Sequence, residues 1–294
     1  MLLYITLKEL VDSIILGIVQ GISEWLPISS KTQILITAML LLKFGYQQAY
    51  TFGLFMEIGT ILAAVIYFRK ELKRLILALV GHGEPLDKKL LVYVVISTVV
   101  TGFIGAALYL YADSLSAYNI GIPMIILGIV LILDGVLIHL SRSKAKHLID
   151  LKDMNNKQFA LIGFLQGIAA LPGVSRSGIT TSGLLLMNVK ADEAFRLSFL
   201  DMIFATSGAV VLTVLAKKSY VIQSISAISP IGLLISILVA TVISLLLIDS
   251  LIKFAKKKSI IYVVVILGLI AIVFGLIVGV FSQSLNGIAT SGLS

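Results

Sequence analysis

The chain has 294 residues, of which 59% are hydrophobic and only 13% charged, and its mean hydropathy of +1.08 lies outside the range of water-soluble domains. A net charge of +8 in so apolar a chain fits Lys and Arg gathered on the cytoplasmic side of a membrane, so no nucleic-acid partner is expected. The absence of cysteine excludes disulfides, thiolate nucleophiles and cysteine-ligated clusters.

The first residues, "MLLYITLKELVDSIIL", carry Glu9 and Asp12 where a secretory signal would be apolar, so no cleaved leader is expected. From Leu7 to Leu42 the chain is apolar but broken near its middle by "SEWLPISSK", the pattern of a re-entrant, discontinuous helical hairpin. Three simple spans follow: Tyr50 to Tyr67, Leu90 to Leu110 and Asn119 to Leu140. A second broken region runs from Phe159 to Met187, interrupted by "LPGVSRSG", and three more spans follow at Ala194 to Leu215, Pro230 to Leu251 and Ile261 to Phe281. The expected fold is an all-α, polytopic membrane protein.

The connections set the expected orientation. "RKELKRLILALVGHGEPLDKK" holds six Lys and Arg, "SRSKAKHLIDLKDMNNK" five and "KFAKKK" four, whereas "YADSLSA" holds none. The three basic connections are therefore assigned to the cytoplasm. The count closes if the first hairpin enters and leaves from outside and the second from the cytoplasm, with both termini outside.

An internal repeat points the same way. "GIVQGI" from Gly17 matches "GFLQGI" from Gly163, and Pro27, Ser30, Lys31, Ala49 and Ile58 face Pro172, Ser175, Arg176, Ala194 and Ile203. Residues 1–145 and 146–294 are thus expected to be two halves of inverted topology, each a broken hairpin (7–42, 159–187) plus three spans, with a binding site where the breaks meet.

The breaks carry the chemistry. Gln20 and Glu24 lie one helical turn apart and share a face. Pro27 ends that helix, and Ser29 and Ser30 stand where they can cap the next. In the second break Pro172 and Gly173 do the same, Ser175 and Ser177 occupy the cap region, and Arg176 adds a planar cationic fork suited to phosphate oxygens. Two helix N-termini, Arg176 and Lys31 would together attract an anion. Glu24 among these donors would repel it unless the carboxylate acts on a proton or binds a divalent cation, Mg²⁺ or Ca²⁺. Glu57 is a candidate second carboxylate; Asp134 and Asp201 are further intramembrane acids, and Asp249 is expected to pair with Lys253.

"GIVQGISEWLPISS" and "LPGVSRSGITTSG" resemble the two signature motifs of the undecaprenyl-diphosphatase (BacA/UppP, bacitracin-resistance) family. The resemblance covers nearly the whole chain. It implies a membrane phosphatase that removes the terminal phosphate of a polyprenyl diphosphate, recycling the lipid carrier for envelope glycans. It also implies a divalent metal, an active site open to the outer face, and site residues Gln20, Glu24, Ser29, Ser30, Ser175, Arg176, Ser177 and Thr180. Where the family usually reads "SSTGH" this chain reads "SSKTQ", so Gln33 replaces the family histidine and joins Lys31 as a candidate substrate contact. Glu57 stands where relatives usually carry glutamine. The expected chemistry has Ser30, or a water it positions, attack the terminal phosphorus with Glu24 as base and Arg176 as anion clamp. Besides substrate and membrane lipid, the sequence is compatible with a homo-oligomer. The competing function on such an architecture is a lipid-phosphate flippase or anion transporter.

Overall fold

The structure, a computed structural model, describes residues 5–112, 121–144, 149–171, 173–216, 218–257 and 259–291; Pro172 lies outside them. These residues form α1 (Leu7–Ser23), α2 (Ser30–Leu42), α3 (Tyr46–Tyr67), α4 (Arg69–Leu79), α5 (Pro85–Ala112), α6 (Gly121–Lys144), α7 (Asn156–Ile168), α8 (Arg176–Leu186), α9 (Ala191–Ala216), α10 (Lys218–Ile228), α11 (Pro230–Ala255) and α12 (Ile260–Ser291). The protein is all-α, with one isolated bridge, Ile149 to Val189, among the described residues.

Six helices (α3, α5, α6, α9, α11 and α12) are long and apolar enough to cross a membrane, and they coincide with the six predicted spans. The ends differ where caps act. Helix α5 starts at Pro85, because the Asp87 carboxylate accepts from the Glu84 N–H (3.3 Å) and ion-pairs with Arg74 (2.6 Å), holding a charged first turn in helical form. Helices α4 and α10 lie in stretches that hydropathy reads as connections; at 11 residues each they are too short to register as spans. Asp249, expected to pair with Lys253, instead accepts from the Tyr67 hydroxyl (2.6 Å), because α3 packs along α11.

The two broken regions fold back on themselves, α1 against α2 and α7 against α8. None of these four helices could cross alone: even the 17 residues of α1 extend about 25 Å, short of a hydrocarbon core of about 30 Å. Both hairpins start with a capping box. The Thr6 hydroxyl accepts from Glu9 N–H while the Glu9 carboxylate accepts from Thr6 N–H; Asn155 and Gln158 repeat the exchange.

Packing pairs the halves crosswise, α1 on α11 and α7 on α5, while α6 crosses α12. A Cβ at Gly17 would stand 2.6 Å from Ser236 O and 2.7 Å from Val239 Cβ; one at Gly163 would stand 2.4 Å from Ser97 O and 2.9 Å from Val100 Cβ. These helices approach backbone to backbone, as small residues allow between helices in a membrane. Large apolar side chains such as Leu133 and Leu246 are 60% and 72% exposed, which suits contact with lipid. Trp25, at the first break, is fully buried against Phe199 with ring centroids 5.1 Å apart.

Candidate active site where the two broken hairpins meet

The first break follows from its residues. Gln20 and Glu24 end α1 on one face, and Gln20 Nε2 donates to Glu24 Oε2 (2.9 Å) and to Thr60 Oγ1 on α3 (3.3 Å). Ser29 was expected to cap α2. It occupies the cap position in a left-handed conformation (φ 57°), and its hydroxyl pairs with Thr32 Oγ1 (3.0 Å) instead of a backbone N–H. The left-handed backbone swings its side chain off the helix axis, so the first turn of α2 has no side-chain acceptor. Ser30, in that turn, donates to Glu24 Oε2 (2.7 Å).

The second break behaves as a capped terminus. Ser175 Oγ accepts from Gly178 N–H (3.2 Å), and Ser175 N–H donates to Asp134 Oδ2 on α6 (2.6 Å). Gly173 has φ 93°, and a Cβ there would stand 3.1 Å from Leu127 Cα of α6, so only glycine fits the turn. Arg176 opens α8, and its guanidinium ion-pairs with Glu24 Oε1.

The hairpins interlock. Ser177 Oγ donates to Leu26 O (3.1 Å), and Lys31 Nζ donates to Ala169 O (2.6 Å). The crevice at this junction is lined by Glu24, Ser29, Ser30 and Lys31 from the first hairpin, Ser175, Arg176 and Ser177 from the second, and Glu57 of α3. Glu24 is 3% exposed, Glu57 2% and Ser30 7%. Glu24 therefore uses both carboxylate oxygens, one on Arg176 and the other on Ser30 and Gln20. Of the remaining predicted residues, Thr180 donates to Arg176 O (2.7 Å) and pairs with Ser198 Oγ (2.6 Å), one turn inside α8. Gln33 turns away from the crevice and donates to Ile28 O (3.0 Å). Neither lines the crevice.

Lys31, Glu57 and Arg176 also line a larger cavity of about 280 Å³, whose walls include the small residues Gly102, Gly105 and Ala106 of α5 and Ala205, Gly208 and Ala209 of α9. Helices α5 and α9 touch through Tyr93 OH to Leu197 O (3.4 Å) and Ser97 Oγ to Asp201 Oδ1 (2.8 Å). Further along, Gly102 and Gly208 are exposed, and a Cβ at either meets nothing. The cavity thus has a polar mouth at the hairpins and an apolar gap between two spans. Asp134, Gln166 and Thr206 are functional candidates without an assigned role in the sequence reading; for Asp134 the signal was a lone carboxylate inside a span.

A buried acid, serine and arginine are brought together by broken helices beside a largely apolar cavity, inside a multi-pass membrane protein. The sequence profile of the family described as bacitracin resistance protein BacA matches residues 13–277. Over 265 residues the chain is 49% identical to a protein of Saccharolobus solfataricus named undecaprenyl-diphosphatase, covering 90% of this chain and 95% of that one. A protein of the same name from Sulfurisphaera tokodaii is 49% identical over 267 residues (90% and 97% covered), and one from Pyrobaculum aerophilum 39% identical over 265 (90% and 96%). The chain belongs to the BacA family.

Proposed function

We propose that this protein is a membrane phosphatase that hydrolyses the terminal phosphate of an undecaprenyl-type polyprenyl diphosphate, recycling the lipid carrier. The observation that carries the reading is the Ser30 to Glu24 hydrogen bond facing Arg176 at the mouth of an apolar cavity, together with relatives named undecaprenyl-diphosphatase over nine-tenths of the chain. A hydroxyl hydrogen-bonded to a carboxylate is the pairing that nucleophilic catalysis requires.

In the proposed reaction the terminal phosphate enters the crevice and takes the Arg176 fork and the free N–H groups of the first turn of α2. Arg176 exchanges its carboxylate partner for phosphate, which leaves Glu24 a stronger base. The Ser30 Oγ–H proton passes to Glu24 as the Oγ–P bond forms. The bond from phosphorus to the bridging oxygen breaks, and the polyprenyl monophosphate departs. Water then hydrolyses the phosphoserine. Developing charge is stabilised by Arg176 and the oriented N–H groups.

The donor set fits a hard divalent cation. Gln20 Oε1 is buried without a partner beside Glu24, and Glu57 lines the same crevice. Glu24, Glu57 and the Gln20 carbonyl would hold Mg²⁺ or Ca²⁺ with substrate oxygens completing the shell; among the described residues no group of three or more His, Cys, Asp or Glu able to hold a metal occurs. When bound, the ion would neutralise phosphate charge.

Inverted halves are supported by the crosswise packing of α1 on α11 and α7 on α5 and by the matching contacts of Gly17 and Gly163. An outward-facing site is supported by the basic connection before α5 together with the order along α5 and α9: Tyr93 and Ser97 bond to α9 nearer that connection, and Gly102 and Gly208 are exposed farther from it. Phosphate release from undecaprenyl diphosphate by purified protein tests the activity; lipid movement in liposomes without phosphate release would replace it with a transporter. For orientation, a cysteine at Ser143 should resist labelling from outside intact cells, and labelling there would reverse the assignment.

A further inference from the structure

Two buried polar groups in the cavity wall lack partners although their neighbours have them. In α9, Ser207 donates to Ile203 O (2.6 Å) and Thr213 to Ala209 O (2.7 Å), the usual way a helical hydroxyl is satisfied. Thr206, 2% exposed in the same helix, makes no such bond, and its Oγ1 is buried without a partner. On α7, Gln166 Nε2 donates to Asp201 Oδ2 (2.9 Å) and to Thr101 Oγ1 (3.2 Å). A carboxylate only accepts, so Asp201 dictates which end of the amide faces it. Gln166 Oε1 is left buried and without a partner, on a side chain 3% exposed. Both residues line the cavity of about 280 Å³ that also presents Arg176 and Lys31.

Unmet polar groups in an otherwise apolar membrane cavity are costly unless a ligand or bound water meets them. We propose that Gln166 and Thr206 form a second polar station, which retains the lipid monophosphate after reaction. This rests on the phosphatase reading and extends it to a subsite outside the crevice. A phosphate monoester suits the pair chemically. Its anionic oxygens accept from the Thr206 hydroxyl, and its singly ionised form, which a second pKa near 6 keeps populated near neutral pH, has a P–OH that donates to Gln166 Oε1. Arg176 lines both the crevice and the cavity that holds the station. The small residues of α5 and α9 beyond it leave room for the first isoprene units.

Inhibition of wild type, Thr206→Val and Gln166→Leu by polyprenyl monophosphate and by inorganic phosphate separates the two phosphate positions. Each variant should raise the inhibition constant for the lipid monophosphate about tenfold, the scale of one lost hydrogen bond to a charged group, and leave that for inorganic phosphate within about twofold. Thr206→Ser should recover the wild-type value. If both constants shift together, or the lipid constant does not move, the station does not exist. Calorimetric binding of polyprenyl monophosphate to the same detergent-purified proteins needs no turnover. A wild type that binds the monophosphate but releases no phosphate would sink the phosphatase reading alone, whereas variants that bind as tightly as wild type would sink the station. Thr206→Ala replaces Val if the thermal midpoint shows that Val disturbs folding.

Discussion

Lys31 and Arg176 face each other in the internal repeat of the sequence, and each reaches across to the residue that closes the first helix of the other hairpin. Arg176 pairs with Glu24, and Lys31 donates to the carbonyl of Ala169; both the cations and their targets are 145 residues apart in the chain. The frame is shared, but only one crossing ends on a carboxylate. The serines diverge likewise: Ser175 spends its hydroxyl capping α8, while Ser30 directs its own at Glu24. Support differs as well. The second break is pinned to α6 by Asp134 and by the packing of Gly173 on Leu127. The first is tied to the second through Ser177 to Leu26 and through Pro27, whose Cβ lies 3.4 Å from where a Cβ of Gly178 would be, and to α9 through Trp25 on Phe199. The two breaks thus differ in kind: the second uses its serine as a cap and is pinned to α6, while the first carries the Ser30–Glu24 pair.

The sharpest way to break this division is to remove the one carboxylate crossing. Glu24→Gln keeps the shape and the hydrogen bond to Ser30 but cannot take a proton, so phosphate release should fall by about 100- to 10,000-fold, the range of a positioned general base. Arg176→Lys keeps the charge and loses the bidentate fork, with an expected loss of about 100-fold. Phosphate release from saturating polyprenyl diphosphate measures both, with folding checked by size exclusion. Near-normal turnover of Glu24→Gln would move the base to Glu57, the other acid lining the crevice.

Next in size is the pin. Asp134→Leu leaves Ser175 N–H without its acceptor in a buried place, a loss of about 1–3 kcal/mol, and lets the start of α8 drift. A roughly tenfold fall in turnover is expected, with faster hydrogen exchange of the peptide around Ser175. Asp134→Asn still presents an acceptor oxygen and should stay within about threefold of wild type. Equal damage from both variants would assign Asp134 a role of its own charge. Smaller still is the link between hairpins: Ser177→Ala removes one neutral hydrogen bond, worth about 1 kcal/mol, and should lower activity about threefold.

The six spans were legible because roughly twenty apolar residues between charged connections have few alternatives, and the breaks were legible because Pro, Gly and an arginine are out of place in such stretches. Glu24 and Arg176 stand out as charges in the breaks and Ser30 through the family motif, and the three lie together. What escaped was anything decided by contacts distant in sequence. Ser29 reads as a cap, but its left-handed backbone removes it from that task. Asp134 stands out as a charge in a span, yet its partner lies 41 residues away. Gln166 reads as a duplicate of Gln20, and only Asp201 against its amide gives it an orientation.

Gln33 sets the smallest expected effect and tests how far side-chain type decides role. It occupies the position of the family histidine, which invites a catalytic reading, but its Nε2 donates to Ile28 O across the turn that joins the hairpin's two helices. Glu24 accepts from Ser30, Gln20 and Arg176. The proton transfer proposed for the crevice, from Ser30 to Glu24, therefore does not involve residue 33, and an amide exchanges no proton near neutral pH in any case. Loss of the turn bond in Gln33→Ala should cost about 1 kcal/mol, seen as a two- to fivefold fall in phosphate release and a slightly lower thermal midpoint. Gln33→His can donate from a ring nitrogen to the same carbonyl and should stay near wild type, with no new ionisation in the pH profile of turnover. A dead Gln33→Ala, or a pH profile that gains an inflection near 6.5 in Gln33→His, would place residue 33 in the reaction and shift the asymmetry between the hairpins further toward the first.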